Sequence, residues 1–383
     1  MHCTIHSSTA LELDRAIEEV FTAYHQNQSE GHSCDFVMIA LSCRYPIEEV
    51  NVVIPHYTDE SNYVAFHATD SFHDSRIVND GVTALFISFE REGYIECFVG
   101  REISQDPEET LQRTADYLDR HADAAHLFIA GTCRNEMAFF VDRLNEREVP
   151  SDNILGGVSS GLSIENETYT YQFYQGEIIR DGFVIVTFHH VQMGSSVAMG
   201  FRPVGTQYTI TKAKGYRIYE VDGGYPFSAT VQKLIQHIDD FQPEYLWYTP
   251  VVILQDDRDQ TLLTLRTFRN ITSEWVEFYG PVKEGQRIKL TYGEAEDLLG
   301  AYRSGVKKLK KELPDPEILF NFSCTARQYV LEQDQAAENI IYLEEMQTPL
   351  FGFFTFGEIG HDPQKRSLQF YNETSLLIGM CEQ

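Results

Sequence analysis

The chain has 383 residues, and its 58 acidic against 30 basic side chains give a formal net charge of −28 at pH 7. Negative charge of this size repels phosphates, so nucleic acid and anionic membrane surfaces are not expected as partners. The length predicts two domains, and 43% hydrophobic residues suffice for a packed core in each. We expect the boundary in the loose stretch around Gly194, with an N-terminal domain over 1–195 and a C-terminal domain over 196–383.

Targeting and membrane segments are not visible in the sequence. The first residues, MHCTIHSSTALELDRAIEEV, lack the basic start and apolar run of a signal peptide, and no apolar stretch approaches the ~18 residues of a membrane span. The seven cysteines are scattered and include no C-x-x-C pair, which predicts a reducing compartment, no disulfide framework and no zinc site. We therefore expect a cytoplasmic protein that does not insert into membranes.

Hydrophobic periodicity predicts alternating strands and helices in the first half. The expected helices cover 9–25, 107–121 and 135–145, the single strands 36–41, 51–54, 63–66 and 127–130, and the hairpins 83–99 and, around Gly176, 169–188.

The second half shows the same mixture, and the hydrophobic pattern has no fixed-period repeat. The expected hairpins cover 208–220 and 350–380, the strands 251–254, 262–268, 275–279 and 318–324, and the helices 226–241, 293–309 and 326–345. Because hairpins outnumber strand–helix–strand units, the pattern predicts an α+β fold with two mixed, largely antiparallel sheet domains and flanking helices.

Catalytic motifs are missing from the sequence. It contains no G-x-G-x-x-G, no Walker loop and no G-x-S-x-G, and its spacing gives no nucleophile–base–orienter set. We therefore predict no catalytic residues and a protein that is not an enzyme. A hydrolase or transferase of unrecognised type remains the third alternative.

The best polar cluster of the first half runs from His67 to Asp74 and follows an expected strand. Three interpretations are open: a divalent-metal site, a loop that lines a small-molecule pocket, or a solvated loop. For the pocket, we name His67, Thr69 and Asp70 as ligand-contacting residues.

His237 lies on the expected helix over 226–241, where Leu234, Ile238 and Phe241 are spaced as one buried stripe. An imidazole at the edge of such a stripe is either a half-buried structural residue or a ligand to a bound group. Of the histidines, His237 is the one that we expect as a metal or cofactor ligand.

Three stretches resemble the FIST family of bacterial sensory modules, which has an N-terminal and a C-terminal part. They are Leu155–Gly157 with the hairpin FYQGEIIRDGFVIV, the segment GFRPVGTQYTITKAKGYRIYEVDG, and LFGFFTFGEIG followed by LQFYNETSLLI. These stretches lie in both halves of the sequence, so the resemblance covers nearly the whole chain.

The resemblance implies a ligand sensor without its own output domain. A free-standing protein of this kind resembles the nitric oxide sensing proteins that bind haem and regulate a partner histidine kinase. Haem needs an apolar slot and an axial ligand, and on this interpretation His237 would hold the haem iron. The alternative is a FIST sensor that binds a small polar metabolite, such as an amino acid, near His67, Thr69 and Asp70. In either case the signal passes to a histidine kinase or another signalling protein.

Overall fold

The computed structural model describes residues 1–27, 33–133, 136–161, 163–164, 167–236, 238, 241–254, 264–362 and 366–383. Its sheets are mixed and antiparallel with helices packed on them, so the fold is α+β, as the sequence predicts. Among these residues no helix is both long and apolar enough to cross a membrane.

Three consecutive segments, 2–88, 94–189 and 191–382, repeat one arrangement of strands and helices, and we call them repeats 1, 2 and 3. Repeat 1 contains β1 (His2–Ser8), α1 (Leu13–Asn27), β2 (Phe36–Leu41), α2 (Ile47–Val53), β3 (Tyr63–His67), β4 (Asp70–His73), β5 (Arg76–Asn79) and β6 (Val82–Ser88). Repeat 2 contains β7 (Tyr94–Arg101), α3 (Pro107–Arg120), β8 (Ala125–Ala130), α4 (Met137–Asn145), β9 (Ile154–Ser159), β10 (Ser163–Ile164), β11 (Glu167–Thr168), β12 (Gln172–Tyr174), β13 (Glu177–Ile179) and β14 (Gly182–His189).

Repeat 3 begins with β15 (Val191–Ala198) and is interrupted by an insertion over 202–292. The insertion contains β16 (Arg202–Lys214), β17 (Arg217–Val221), β18 (Tyr225–Pro226), α5 (Phe227–Ile235), β19 (Val251–Leu254), β20 (Thr264–Arg266), β21 (Phe268–Ile271), β22 (Val276–Phe278) and β23 (Arg287–Tyr292). The repeat resumes with α6 (Ala295–Glu312), β24 (Ile318–Cys324), α7 (Thr325–Leu331), α8 (Ala337–Met346), β25 (Leu350–Asp362), β26 (Ser367–Tyr371) and β27 (Ser375–Glu382).

The strand order is the same in all three repeats. The sheets run β1-β6-β2-β3, β7-β14-β8-β9 and β15-β27-β24-β25. In each repeat the first strand is antiparallel to the last, the last is antiparallel to the second, and the second is parallel to the third. The chain is therefore a pseudo-threefold structure, although no fixed period is visible in the sequence.

The repeats also pair with one another in a cycle. Strand β4 of repeat 1 pairs with β25 of repeat 3, β12 of repeat 2 pairs with β3 of repeat 1, and β25 of repeat 3 pairs with β9 of repeat 2. The C-terminal ends of β3, β9 and the first part of β25 therefore converge, and polar residues near this convergence form the candidate site described below.

One hydrophobic core joins the three repeats, because the six-stranded and the eleven-stranded sheets pack face to face. Phe66 of β3 and Phe353 of β25 meet there with ring centroids 4.8 Å apart. The helices cover the outer faces and add separate cores, for example through Phe21 of α1, Phe140 of α4 and Tyr302 of α6. The insertion has an eight-stranded sheet and a core of its own.

Several predicted elements are wrong. Residues 51–54 were expected as a strand, but α2 covers Ile47–Val53, where Val50 and Val53 face the core at helical spacing. The expected hairpin over 83–99 is two strands in different sheets, because β6 pairs with β1 and β2 whereas β7 pairs with β14. The expected helix over 326–345 is divided into α7 and α8.

Position 195, the predicted end of the N-terminal domain, falls inside β15. This strand pairs with β27, the last strand of the chain. The division into 1–195 and 196–383 stays a prediction.

Candidate functional site

A small cavity lies where the insertion meets repeat 3, and we call it the Trp247 cavity. Its volume is about 30 Å³. The insertion contributes Trp247, Thr267 and Tyr279, and repeat 3 contributes Cys324, Thr325, Ala326, Thr355, Phe356 and Asn372. Within repeat 3 these residues belong to the end of β24, the start of α7, the middle of β25 and the turn before β27.

The insertion side of the cavity is aromatic. Trp247 is 9% exposed, and its indole N–H donates to the carbonyl oxygen of Phe268 at 2.9 Å. Tyr279 and Tyr329 stand edge-on to it, with ring centroids 6.5 Å and 4.6 Å away. Burial raises the pKa of Tyr279 to about 12, so its hydroxyl stays protonated at neutral pH. This wall offers apolar ring surface with a hydrogen-bonding hydroxyl.

A buried polar network lies behind the repeat 3 side of the cavity and is joined to it through Thr355. Thr355 Oγ1 donates to Glu358 Oε1 at 2.5 Å, and Thr374 Oγ1 donates to Glu358 Oε2 at 2.6 Å. Burial raises the pKa of Glu358 to about 8, so this carboxyl group is largely neutral at pH 7. Burial also raises the pKa of Cys324 well above its ordinary value, so this thiol is not poised as a nucleophile.

Two buried oxygen atoms beside the cavity have no hydrogen-bond partner among the described residues. They are Asn372 Oδ1 and Glu373 Oε2. Glu373 receives one bond, from Thr267 Oγ1 to its Oε1 at 2.8 Å, and burial raises its pKa to about 8. A neutral carboxyl group can donate as well as accept, and buried polar groups are rarely left unpaired. The cavity therefore offers unspent hydrogen-bonding capacity to a polar guest.

A buried ion pair supports this side of the cavity. Arg327 is fully buried, and its Nε donates to Glu338 Oε1 at 3.0 Å. Its Nη1 donates to the carbonyl oxygen of Met199 at 2.6 Å and to that of Glu373 at 3.1 Å. Arg327 thus ties the end of β15, helix α8 and the turn that carries Asn372 into one rigid unit.

One of the three residues predicted to contact a ligand, Asp70, has a hydrogen bond to the segment beside this cavity. His67 is opposite Leu41 of β2, as Thr355 is opposite Cys324 of β24, so His67 and Thr355 hold equivalent positions in their repeats. The Asp70 carboxylate accepts from Gln328 Nε2 at 3.3 Å, two residues beyond Ala326 in the cavity wall.

The environment of these residues distinguishes between the three interpretations of the polar cluster. His67 is 3% exposed, and its Nδ1 accepts the backbone N–H of Tyr171 at 3.3 Å. Burial lowers the pKa of His67 to about 4, so the ring is neutral at pH 7. The Thr69 N–H donates to Ser160 Oγ at 2.9 Å. The cluster is therefore not a solvated loop, and its role in ligand contact stays a prediction.

The other members of the cluster have partners elsewhere. His73 Nδ1 lies 2.8 Å from both Ser7 Oγ and Arg76 Nη2. The Asp74 carboxylate accepts the backbone N–H of Leu350 at 3.0 Å. These contacts draw His73 and Asp74 away from His67, which disfavours a shared metal site.

His237, the predicted haem ligand, lies outside the described residues. The helix predicted to carry it is shorter than expected, because α5 ends at Ile235. The expected buried stripe is wrong: Leu234 is 46% and Ile238 40% exposed, and α5 instead buries Phe227, Ser228 and Val231.

Sequence reasoning missed Trp247, Asn372 and Glu373. One feature could have pointed to the last two, since Asn372-Glu373-Thr374 is a polar run between the apolar stretches of β26 and β27. Trp247 has no comparable feature, because its place in the cavity depends on how the insertion packs on repeat 3.

The chain is similar to two known family domains and to individual proteins. The chain matches the FIST N domain over residues 60–224 and the FIST C domain over residues 229–361. An uncharacterised protein of Aquifex aeolicus is 31% identical over 264 residues, which cover 67% of this chain and 97% of that protein. An uncharacterised protein of Mycobacterium tuberculosis strain H37Rv is 24% identical over 253 residues, which cover 63% of this chain and 64% of that protein.

Among solved structures, a cyanuric acid hydrolase from A. caulinodans aligns with 7% identity and a TM-score of 0.37, over 100% of this chain and 99% of that one. This match corrects the expectation that the chain is not an enzyme, and the exclusion of catalysis is withdrawn. A likeness at this TM-score carries no argument for a particular activity. The two domain matches, which adjoin and together run from residue 60 to 361, show that the chain belongs to the FIST family.

Proposed function

We propose that this FIST protein is a sensor that binds a small polar metabolite, such as an amino acid, in the Trp247 cavity. The observation that carries the proposal is the buried Asn372 Oδ1, which lines the cavity beside an aromatic wall and has no hydrogen-bond partner among the described residues. A guest with an N–H or O–H donor would satisfy this oxygen, and its carbon atoms would pack on Trp247 and Tyr279.

The size of the cavity suggests how binding would produce a signal. A volume of about 30 Å³ holds about one water molecule, so a metabolite enters when the insertion moves away from repeat 3. Binding then favours the open arrangement over the closed one. A partner that reads this difference, a histidine kinase or another signalling protein, would receive the signal.

A thermal-shift screen of amino acids, small organic acids and amines tests this proposal. A ligand at about 100 times its Kd stabilises the native state by about 2.7 kcal/mol, which raises the unfolding midpoint. Asn372→Leu removes this oxygen, and loss of a buried hydrogen bond should weaken binding about 5- to 150-fold. Gln192→Leu, the same kind of change at an exposed position of β15, should bind as the wild type does. Absence of any stabilising compound, or equal binding by Asn372→Leu, would contradict the proposal.

The second candidate is a haem-based nitric oxide sensor with His237 as the axial ligand, regulating a partner histidine kinase. Its support is the resemblance to nitric oxide sensing proteins, together with the exposed apolar side chains of Leu234 and Ile238 on either side of position 237. Exposed apolar surface beside an imidazole suits a group that needs both an apolar face and an axial ligand. Bound haem would supply the gas-binding iron.

An absorption spectrum of protein purified from haem-supplied cells tests this candidate. We expect a Soret band that shifts with nitric oxide and is lost or displaced in His237→Ala, whereas His56→Ala, a change at an exposed histidine, leaves it unchanged. Protein that takes up no added haemin, or a His237→Ala band identical to that of the wild type, rules the candidate out.

A further inference from the structure

A second cluster of polar side chains lies in repeat 2, at the end of β14 where β8 begins. It consists of Glu96, His121 and His189, whose potential ligand atoms all lie within 4.8 Å of one another. The Trp247 cavity lies instead beside the last residues of β24, so the two sites are at opposite ends of their repeats. Nothing in the proposed function uses this cluster.

Three separate elements bring the cluster together. Glu96 of β7 is paired with Thr187 of β14, and His189 lies two residues further along β14, so both side chains project from one face of the sheet. His121 follows α3 as its C-terminal cap residue. The negative end of the helix dipole there favours a bound cation.

The distances in the cluster are close to those of a metal site. His189 Nε2 lies 2.9 Å and His121 Nδ1 lies 3.9 Å from the same Glu96 oxygen, Oε2. Ligand atoms bound to one tetrahedral zinc ion at 2.0–2.2 Å are about 3.3–3.6 Å apart. The two observed distances bracket this value, and the two imidazole nitrogens lie within 4.8 Å of each other, so small movements of the three side chains would bring their ligand atoms to this spacing.

Neighbouring rings hold two of the ligands in place. Tyr94 stacks on the His189 ring with centroids 4.2 Å apart and planes 7° from parallel. Tyr117 packs against His121 at 4.6 Å, and His126 Nε2 lies 3.0 Å from the carbonyl oxygen of His121. The side chains of His121 and His189 are 22% and 12% exposed, which leaves a path for an ion from solvent.

We propose that Glu96, His121 and His189 bind a divalent transition-metal ion, of which Zn²⁺ is the best match to two imidazoles and one carboxylate. Three protein ligands leave a coordination position open for water or a small anion. The absence of C-x-x-C pairs predicted no zinc site, but it excludes only a thiolate site. Histidines from distant parts of the chain leave no comparable spacing in the sequence.

Titration of the metal-free protein with Zn²⁺, in competition with a chromophoric chelator, tests the proposal. We expect one tight site per chain. His189→Ala and Glu96→Gln should weaken it by at least the ~10- to 100-fold that loss of an outer-shell partner costs. Co²⁺ in place of Zn²⁺ should give the visible absorption of a tetrahedral ion in the wild type and lose it in both variants.

His190→Asn is the matched control, because His190 is exposed, adjacent to the cluster, and has a positive φ of 56° that asparagine tolerates. It should bind Zn²⁺ as the wild type does. Wild-type affinity in both His189→Ala and Glu96→Gln, or equal loss in His190→Asn, overturns the assignment. Glu96 is 47% exposed, so Glu96→Gln should fold even if His189→Ala does not.

Discussion

Replacing Arg327 with leucine should lower the free energy of unfolding by about 3–5 kcal/mol, the cost of leaving one member of a buried ion pair without its partner. The Glu338 side chain is 2% exposed, and without Arg327 its remaining hydrogen-bond partner within the described part of the chain is Ser323 Oγ, at 2.9 Å. The carbonyl oxygens of Met199 and Glu373 would lose their bonds as well. Urea denaturation measures the effect.

The matched control is Arg15→Ala, which breaks an ion pair with Glu19 at side-chain exposures of 74% and 46%. Exposed pairs of this kind contribute about 0.3–0.5 kcal/mol, so the control should change the unfolding midpoint little. The double variant Arg327→Leu, Glu338→Leu should recover part of the loss, because it leaves no unpaired charge. If Arg327→Leu lowers the free energy of unfolding by less than the control does, Arg327 does not hold the turn beside the cavity as described.

The second large effect is a dependence of stability on pH that comes from the buried carboxyl groups Glu358 and Glu373. Burial raises the pKa of each to about 8, whereas a carboxyl group in the unfolded chain titrates near 4.5. Between these values the folded state holds a proton that the unfolded state has released. Their contribution to stability is therefore complete below pH 4.5 and falls as the pH rises towards 8.

Glu358→Gln isolates this contribution, because glutamine has the same shape and does not titrate. The stability of the wild type relative to Glu358→Gln should fall from pH 5 to pH 8, as measured by urea denaturation at each pH. Buried neutral histidines such as His67 act in the opposite direction between about pH 4 and 6.5, but they are common to both proteins and cancel in the difference. Glu109→Gln, at an 80% exposed side chain, is the control. A difference that does not change with pH would show that Glu358 is ionised in the fold.

Local patterns sufficed for much of the secondary structure. The apolar runs FVMIAL and ILFNFSC are the buried strands β2 and β24, and the hairpin turning at Gly215 is β16 and β17. Local pattern failed where pairing is decided over long distances. The strands β6 and β7 are adjacent in sequence but join different sheets, and an insertion over 202–292 hides the threefold repetition by making repeat 3 about twice as long.

The candidate site was predictable only in part. The polar stretch at His67 lies at one of the converging strand ends, as its position after an apolar run indicated. The cavity itself involves Asn372 and Trp247, which are 125 residues apart in sequence and approach through packing of the insertion on repeat 3. Glu373 is hydrogen-bonded to Thr267 of the insertion, so sequence spacing could not indicate its burial or its raised pKa.

The fluorescence of Trp247 gives the most direct measurement of whether the ligand binds between the insertion and repeat 3. The chain has two tryptophans, so Trp275→Phe leaves Trp247 as the single emitter. A metabolite that stabilises the protein should change the Trp247 emission, with the same midpoint concentration as the thermal shift. Stabilisation without any change in Trp247 emission would place the ligand elsewhere and contradict the account.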